Sequence, residues 1–233
     1  IGQVGADAYN ARRVALAAGI PTSTPAYTVN RLCGSGLQAV WSAAMQMHWG
    51  GVDIALAGGD ESMSRMPFYD LGARDGYRLG DRSLRDGTVM MLTDPFTDIH
   101  MGRTAEAVAR KYGVSREEQD AFAVESQRRA ATDEALAAFG EEIVPVEVGG
   151  RRPVRVDRDE HPRPETTLEK LAGLRPAFEA DGSVTAGNSS GINDGGAAVV
   201  LARESVARDR GLGGLVSLEA VTTAALEPEL MGY

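Results

Sequence analysis

The one cysteine of this 233-residue chain, Cys33, lies in the run Asn30-Arg31-Leu32-Cys33-Gly34-Ser35-Gly36-Leu37-Gln38-Ala39-Val40. Pro25-Ala26-Tyr27-Thr28-Val29 ahead of it reads as a strand. The apolar run 37–49 behind it, rich in Ala and Met and too long for a strand, reads as a helix. The thiol is therefore expected at a strand-to-helix turn. There the unpaired N–H groups and positive dipole end of the helix stabilise a thiolate, and small neighbours let a carbonyl approach the backbone. The chemistry to expect is nucleophilic, covalent catalysis. The plain alternative is a small buried hydrophobe. Gly34 and Gly36 speak against it, because a core helix has no need of two glycines in its first turn.

The elements that would position Cys33 alternate. Residues 7–18 read as a helix stopped by Gly19, 26–29 as a strand, 37–49 as a helix, and 52–57 as a buried strand ending at Gly58-Gly59. Such alternation indicates a layered α/β core. From 65 to about 92 the pattern breaks into Gly, Asp, Arg and aromatic residues without period, as an inserted loop region would. Helices follow at 102–112 and from the capping box Ser115-Arg116-Glu117-Glu118 on to about Phe139. The segments 143–148 and 153–156, separated by Gly149-Gly150, suggest a hairpin. A Gly/Asn/Ser-rich turn then precedes a buried strand at 197–201, and residues 215–222 read as one more strand.

Composition bounds the function. Hydrophobic content of 43%, charged content of 24% and 28 glycines describe a globular protein. A single cysteine rules out an intrachain disulfide framework and fits a reducing compartment, so a cytoplasmic location is expected. No run is long enough to span a membrane, and the first residues have neither the basic start nor the apolar core of a signal peptide. A net charge of −9 argues against nucleic acid or an anionic membrane as partner, so an anionic ligand would need a local basic site. The chain begins without Met and stops without a terminating element, and is expected to be the central portion of a longer protein.

Four segments, in order, resemble the thiolases: Val29 to Leu37 around Cys33; Ala57-Gly58-Gly59-Asp60-Glu61-Ser62-Met63-Ser64; His100-Met101-Gly102-Arg103-Thr104-Ala105-Glu106; and Leu174-Arg175-Pro176-Ala177-Phe178 leading to Val184-Thr185-Ala186-Gly187-Asn188-Ser189-Ser190-Gly191-Ile192-Asn193-Asp194-Gly195. The resemblance implies a five-layered αβαβα fold, here mostly its first half. The expected division is an N-terminal α/β core at 1–64, an inserted loop domain for CoA binding at 65–183, a return to the core at 184–214, and the start of the C-terminal half at 215–233. It also implies an acyl-CoA C-acyltransferase of fatty acid metabolism in which Cys33 carries the acyl group, with coenzyme A thioesters as substrates, no permanent cofactor, no metal, and a homodimer or homotetramer as the assembly. The family's Gly-His-Pro, Cys-x-Gly-Gly-Gly and Asn-Glu-Ala-Phe segments do not occur in the chain. His161-Pro162 is read as a decoy for the activating histidine, and Glu61 as a structural residue. A nucleophile without the base that works with it is expected to be close to inactive.

By the same resemblance, Arg163 aligns with an arginine that contacts the nucleotide of CoA, and Ser190 and Lys170 with serine contacts, Ser190 lying in the turn after Ala186-Gly187. Lys170 is a departure: it either replaces a hydroxyl contact with a charged one to phosphate or loses the contact. Residues 151–163 hold five arginines against three carboxylates, a basic exception in an acidic chain. Leu92, His100, Met101 and Phe178 align with residues lining a pantetheine tunnel, which needs apolar walls with a few polar groups. Two rivals remain at this point: a β-ketoacyl synthase loading from an acyl carrier protein, and a CoA-binding or subunit-interaction module without turnover.

Overall fold

The computed structural model describes residues 5–214 and 216–233. In chain order its elements are helices α1 (Asn10–Ala17) and α2 (Ser35–Trp49), strands β1 (Ile54–Ser62), β2 (Phe68–Tyr69) and β3 (Arg85–Asp86), and helices α3 (Gly87–Met91), α4 (Met101–Tyr112), α5 (Arg116–Ala130) and α6 (Asp133–Glu142). Strands β4 (Val146–Val148) and β5 (Val154–Val156), helix α7 (Leu168–Ala172), strand β6 (Asp194–Ala202) and helix α8 (Glu204–Asp209) complete them. They divide into two compact units. One takes in Ile1–Met91 with Asn193–Ala225, the other Leu92–Ile192 with Leu226–Tyr233.

In the first unit β1 and β6 pair antiparallel, from Ile54 opposite Ala202 to Ser62 opposite Asp194. Helix α2 packs on β1. Both strands are longer than the sequence pattern suggests, because β1 runs on through Gly58-Gly59 instead of stopping there. Gly58 is required by the pairing: a Cβ on it would lie 2.6 Å from the carbonyl oxygen of Ala197. The expectation that these strands are buried fails within the unit. Only Ala57 of β1 is buried, and Val199 and Val200 of β6 are more than half exposed. Their near-continuous apolar pattern suits a strand covered on both faces.

The strand expected at 26–29 does not form. Its neighbourhood bonds to α1 instead: the Ala11 amide donates to Thr28 Oγ1 (3.1 Å), and the Arg12 guanidinium to the carbonyls of Thr24 (2.7 Å) and Thr22 (2.8 Å). Leu215 lies outside the described residues, and 216–222 forms no strand, having no ladder partner among the described residues.

In the second unit α4 starts at His100, whose ring Nδ1 accepts the Gly102 amide (3.1 Å), and ends at Gly113 with φ +68°. The capping box that opens α5 is complete. Ser115 Oγ accepts from the Glu118 amide (3.1 Å) and Glu118 Oε2 from the Ser115 amide (2.8 Å). The single helix expected on to Phe139 is two, because Thr132 adopts an extended backbone and caps α6 by accepting the Ala135 amide on its hydroxyl (3.2 Å). Strands β4 and β5 form the expected hairpin, Val146 opposite Val156.

Candidate active site

In the first unit, Cys33 precedes Gly34, the N-cap of α2, and its thiol is free and exposed. The turn that delivers it is dense with hydrogen bonds. The Gly34 amide donates to the Arg31 carbonyl (3.0 Å) and the Ser35 amide to the Leu32 carbonyl (3.0 Å). Ser35 Oγ accepts from the Arg31 amide (2.8 Å) and donates to the Leu32 carbonyl (2.7 Å). Asn30 Oδ1 accepts the Leu32 amide (2.9 Å), and Leu32 sits at φ +49°. The helix begins its own ladder only with the Gln38 amide on the Gly34 carbonyl (2.9 Å), and with the Ser35 amide taken by Leu32 the Gly36 and Leu37 amides are left without a backbone acceptor among the described residues. Downstream, the Asp194 carboxylate at the start of β6 accepts from the amide and hydroxyl of Ser64 and the hydroxyl of Ser62. The Ser64 hydroxyl, above all, holds that carboxyl below its ordinary range.

In the second unit, Leu92, His100, Met101 and Phe178 come together at the start of α4. The Met101 amide donates to the Leu92 carbonyl (2.8 Å), and the rings of His100 and Phe178 stack at 4.8 Å with 19° between their planes. Gly102 is what allows it, since a Cβ there would fall 2.3 Å from the Phe178 ring. The requirement for Gly102 is invisible in sequence, where one glycine in a helix start carries no sign of what lies over it.

A cleft of about 350 Å³ in the same unit brings together Arg163, Lys170, Ala186 and Gly187, with His161 and Ser189 also on its wall. Ser190 is exposed and does not line it. The Arg163 amide donates to Gln127 Oε1 (2.7 Å), and Lys170 Nζ to the Glu165 carbonyl (2.6 Å). Among the described residues neither cation pairs with a carboxylate, although Glu165 contributes one to the lining. Gly187 is held to its type by packing: a Cβ would lie 2.4 Å from Leu171 Cδ2 and 2.6 Å from Leu174 Cδ1. The Ser189 hydroxyl is buried and has no hydrogen-bond partner among the described residues.

Buried polar groups hold this wall. Glu106, 2% exposed, accepts the amides of Ser183 and Val184 and the Ser183 hydroxyl at 2.8 to 3.0 Å. Asn188 accepts the Thr185 amide (2.7 Å) and donates to Asp120 Oδ1 and the Ser183 carbonyl (3.0 Å each). Arg116 bonds Asp120 (2.8 Å) and the carbonyls of Leu171 (2.6 Å) and Leu174 (3.2 Å). Sequence alone does not mark Asp120, at the end of the polar run Arg116-Glu117-Glu118-Gln119, or Asn188, next to Ser189 and Ser190, as site residues; only Glu106, a carboxylate between Ala105 and Ala107, carries a signal.

Residues 1–205 match the family described as thiolase, N-terminal domain. An acetyl-CoA acetyltransferase of Allochromatium vinosum is 48% identical over 225 residues, which is 95% of this chain and 57% of that protein. The crystal structure of the Bacillus anthracis acetyl-CoA acetyltransferase superposes with a TM-score of 0.92 at 44% identity, over 99% of this chain and 59% of that one. The human mitochondrial 3-ketoacyl-CoA thiolase in complex with CoA gives 0.81 at 40% identity, over 89% of this chain and 52% of that one. The chain thus spans little more than half the length of the proteins it matches, and its α/β fold is that of these structures.

Proposed function

The chain belongs to the thiolase family, and on that premise we propose that it is the nucleophile-bearing part of an acyl-CoA C-acyltransferase. The carrying observation is the exposed Cys33 thiol at the open N-terminal end of α2. As thiolate it attacks the thioester carbonyl of an acyl-CoA. The carbon–sulfur bond to CoA breaks, CoA leaves as its thiolate, and the acyl group stays on Cys33. Attack on that acyl-enzyme by the enolate of a second acyl-CoA forms the carbon–carbon bond of a 3-ketoacyl-CoA as the acyl–sulfur bond breaks and the Cys33 thiolate leaves. In reverse, the Cys33 thiolate attacks the 3-keto carbon of a 3-ketoacyl-CoA, the carbon–carbon bond breaks with an acyl-CoA enolate leaving to be protonated, and CoA thiolate then takes the acyl group from Cys33.

The residues 65–183 act as the loop domain that holds CoA. The cleft cations Arg163 and Lys170 suit the polyanionic nucleotide end, with Ala186 and Gly187 beside it, while Ser190 would reach it only from outside the cleft lining. Leu92, Met101, His100 and Phe178 suit the pantetheine arm. The segments 1–64 and 193–214 belong to the core that carries Cys33, 184–192 contributes to the cleft, and 215–233 opens the second half. CoA thioesters are substrates and no cofactor is resident. The working assembly is a cytoplasmic homodimer or homotetramer in fatty acid metabolism. No helix among the described residues is long and apolar enough to cross a membrane.

The test is trapping of the full chain with a thiol-directed acyl-CoA analogue, followed by peptide mass mapping. One label on Cys33, prevented by excess CoA, is expected. Labelling at any other residue, or labelling indifferent to CoA, refutes the reading.

A further inference from the structure

We infer that Asn30 is a positioning residue for the Cys33 thiol and acts by holding Leu32 in a left-handed backbone conformation; this rests on Cys33 being the nucleophile. Leu32 has φ +49°, a region that is costly for any residue with a Cβ and free for glycine. Its side chain is 60% exposed, so packing does not force it there. Polar bonds on both sides of the residue do. Asn30 Oδ1 takes its N–H (2.9 Å), while its carbonyl takes the Ser35 amide (3.0 Å) and hydroxyl (2.7 Å). The Ser35 hydroxyl is in turn fixed by the Arg31 amide (2.8 Å).

The carbonyl side is anchored to the helix by two bonds, while the amide side depends on the Asn30 carboxamide. Without that acceptor Leu32 relaxes toward negative φ. The next peptide plane turns with it, and the Cys33 side chain leaves the open end of α2. A glycine at position 32 would hold the same turn without assistance. A leucine there makes Asn30 necessary.

This argument predicts a rescue that a general loss of structure would not show. The probe is iodoacetamide on the full chain, which is clean because Cys33 is the only thiol. Asn30→Ala slows carboxamidomethylation of Cys33 by about tenfold, the population cost of a left-handed non-glycine residue. Adding Leu32→Gly in that background brings the rate back to within about twofold, because glycine needs no clamp. The same glycine accelerates the reaction far more in the Asn30→Ala background than in the parent. Circular dichroism melting of each variant shows whether the chain is folded, and Asn30→Asp, which keeps an acceptor in place, keeps the turn.

Equal effects of Leu32→Gly in both backgrounds, or no slowing by Asn30→Ala, overturn the inference. Protection of Cys33 from the label by excess CoA is measured in parallel. Coupling seen with iodoacetamide but no protection by CoA upholds the clamp and refutes the acyltransferase reading. Protection without coupling does the reverse.

Discussion

Two glycine-to-alanine substitutions, each in a helix of the second unit, should move stability in opposite directions. At Gly102 an ideal Cβ would lie 2.3 Å from Phe178 Cγ and Cδ2 and 2.4 Å from Cε2, whereas ordinary contact begins near 3.4 Å. The ring must therefore retreat by about 1 Å, and it is stacked on His100. Overpacking of this kind costs about 1–3 kcal/mol. Alanine recovers at most about 1 kcal/mol of helix propensity, which leaves a net loss of up to roughly 2 kcal/mol. At Gly140, within α6, nothing lies within 4 Å of the added methyl. Only the propensity gain of about 0.5–1 kcal/mol remains. For a chain of this size 1 kcal/mol is worth about 2–4 °C. Calorimetry of the full chain should then show Gly102→Ala melting lower by up to about 8 °C and Gly140→Ala about 1–4 °C higher. Adding Phe178→Leu to Gly102→Ala should cost less than the two changes summed, because the smaller side chain vacates the overlap. Melting points that rise equally for both alanines would refute the ring placement, and with it the proposed wall formed by His100, Met101 and Phe178.

Glu106→Gln keeps the volume but turns an amide group toward the Ser183 and Val184 N–H donors, leaving at least one buried donor unpaired. A loss of about 3 kcal/mol is expected in urea unfolding, and a loss below about 0.5 kcal/mol would show that the carboxylate does not hold that turn. Glu125 bonds Arg128 and Arg129, and these guanidiniums pull its carboxyl down from 4.5 to about 2. Because the folded value is the depressed one, the stabilising contribution is present above 4.5 and is lost as pH falls through about 2. An NMR titration of the Glu125 carboxyl should show a midpoint near 2 that returns toward 4.5 when both arginines become alanine. A midpoint near 4.5 in the parent would contradict it.

What the sequence made legible was local. The helix behind Cys33, the capping box at Ser115 and the hairpin across Gly149-Gly150 follow from spacing and turn chemistry, and the structure contains each. What it hid depended on partners distant in the chain. Tyr27 and Val29 have the composition of a strand, but α1 takes the hydrogen bonds around them. Thr132 looks like any helix residue until its hydroxyl is seen to cap α6. In the site, the family segments led to Arg163, Lys170, Ala186 and Gly187, which the fold gathers on one cleft. The Ser189 hydroxyl and the Asn188 to Asp120 bond could not be foreseen, because alternating small polar residues in a turn do not reveal which of them faces inward.

The pairing of β1 with β6 also sets an order of events during synthesis. Ser62 and Asp194 are bonded across a separation of 132 residues. A ribosome adding about 5–20 residues per second takes on the order of ten seconds to supply that interval. Throughout it β1 has emerged without β6, its ladder partner among the described residues, while all of Leu92–Ile192 becomes available to fold. The β1–β6 ladder is therefore begun before the inserted segment and closed only after it, and its interval of exposure to aggregation is set by the length of that segment.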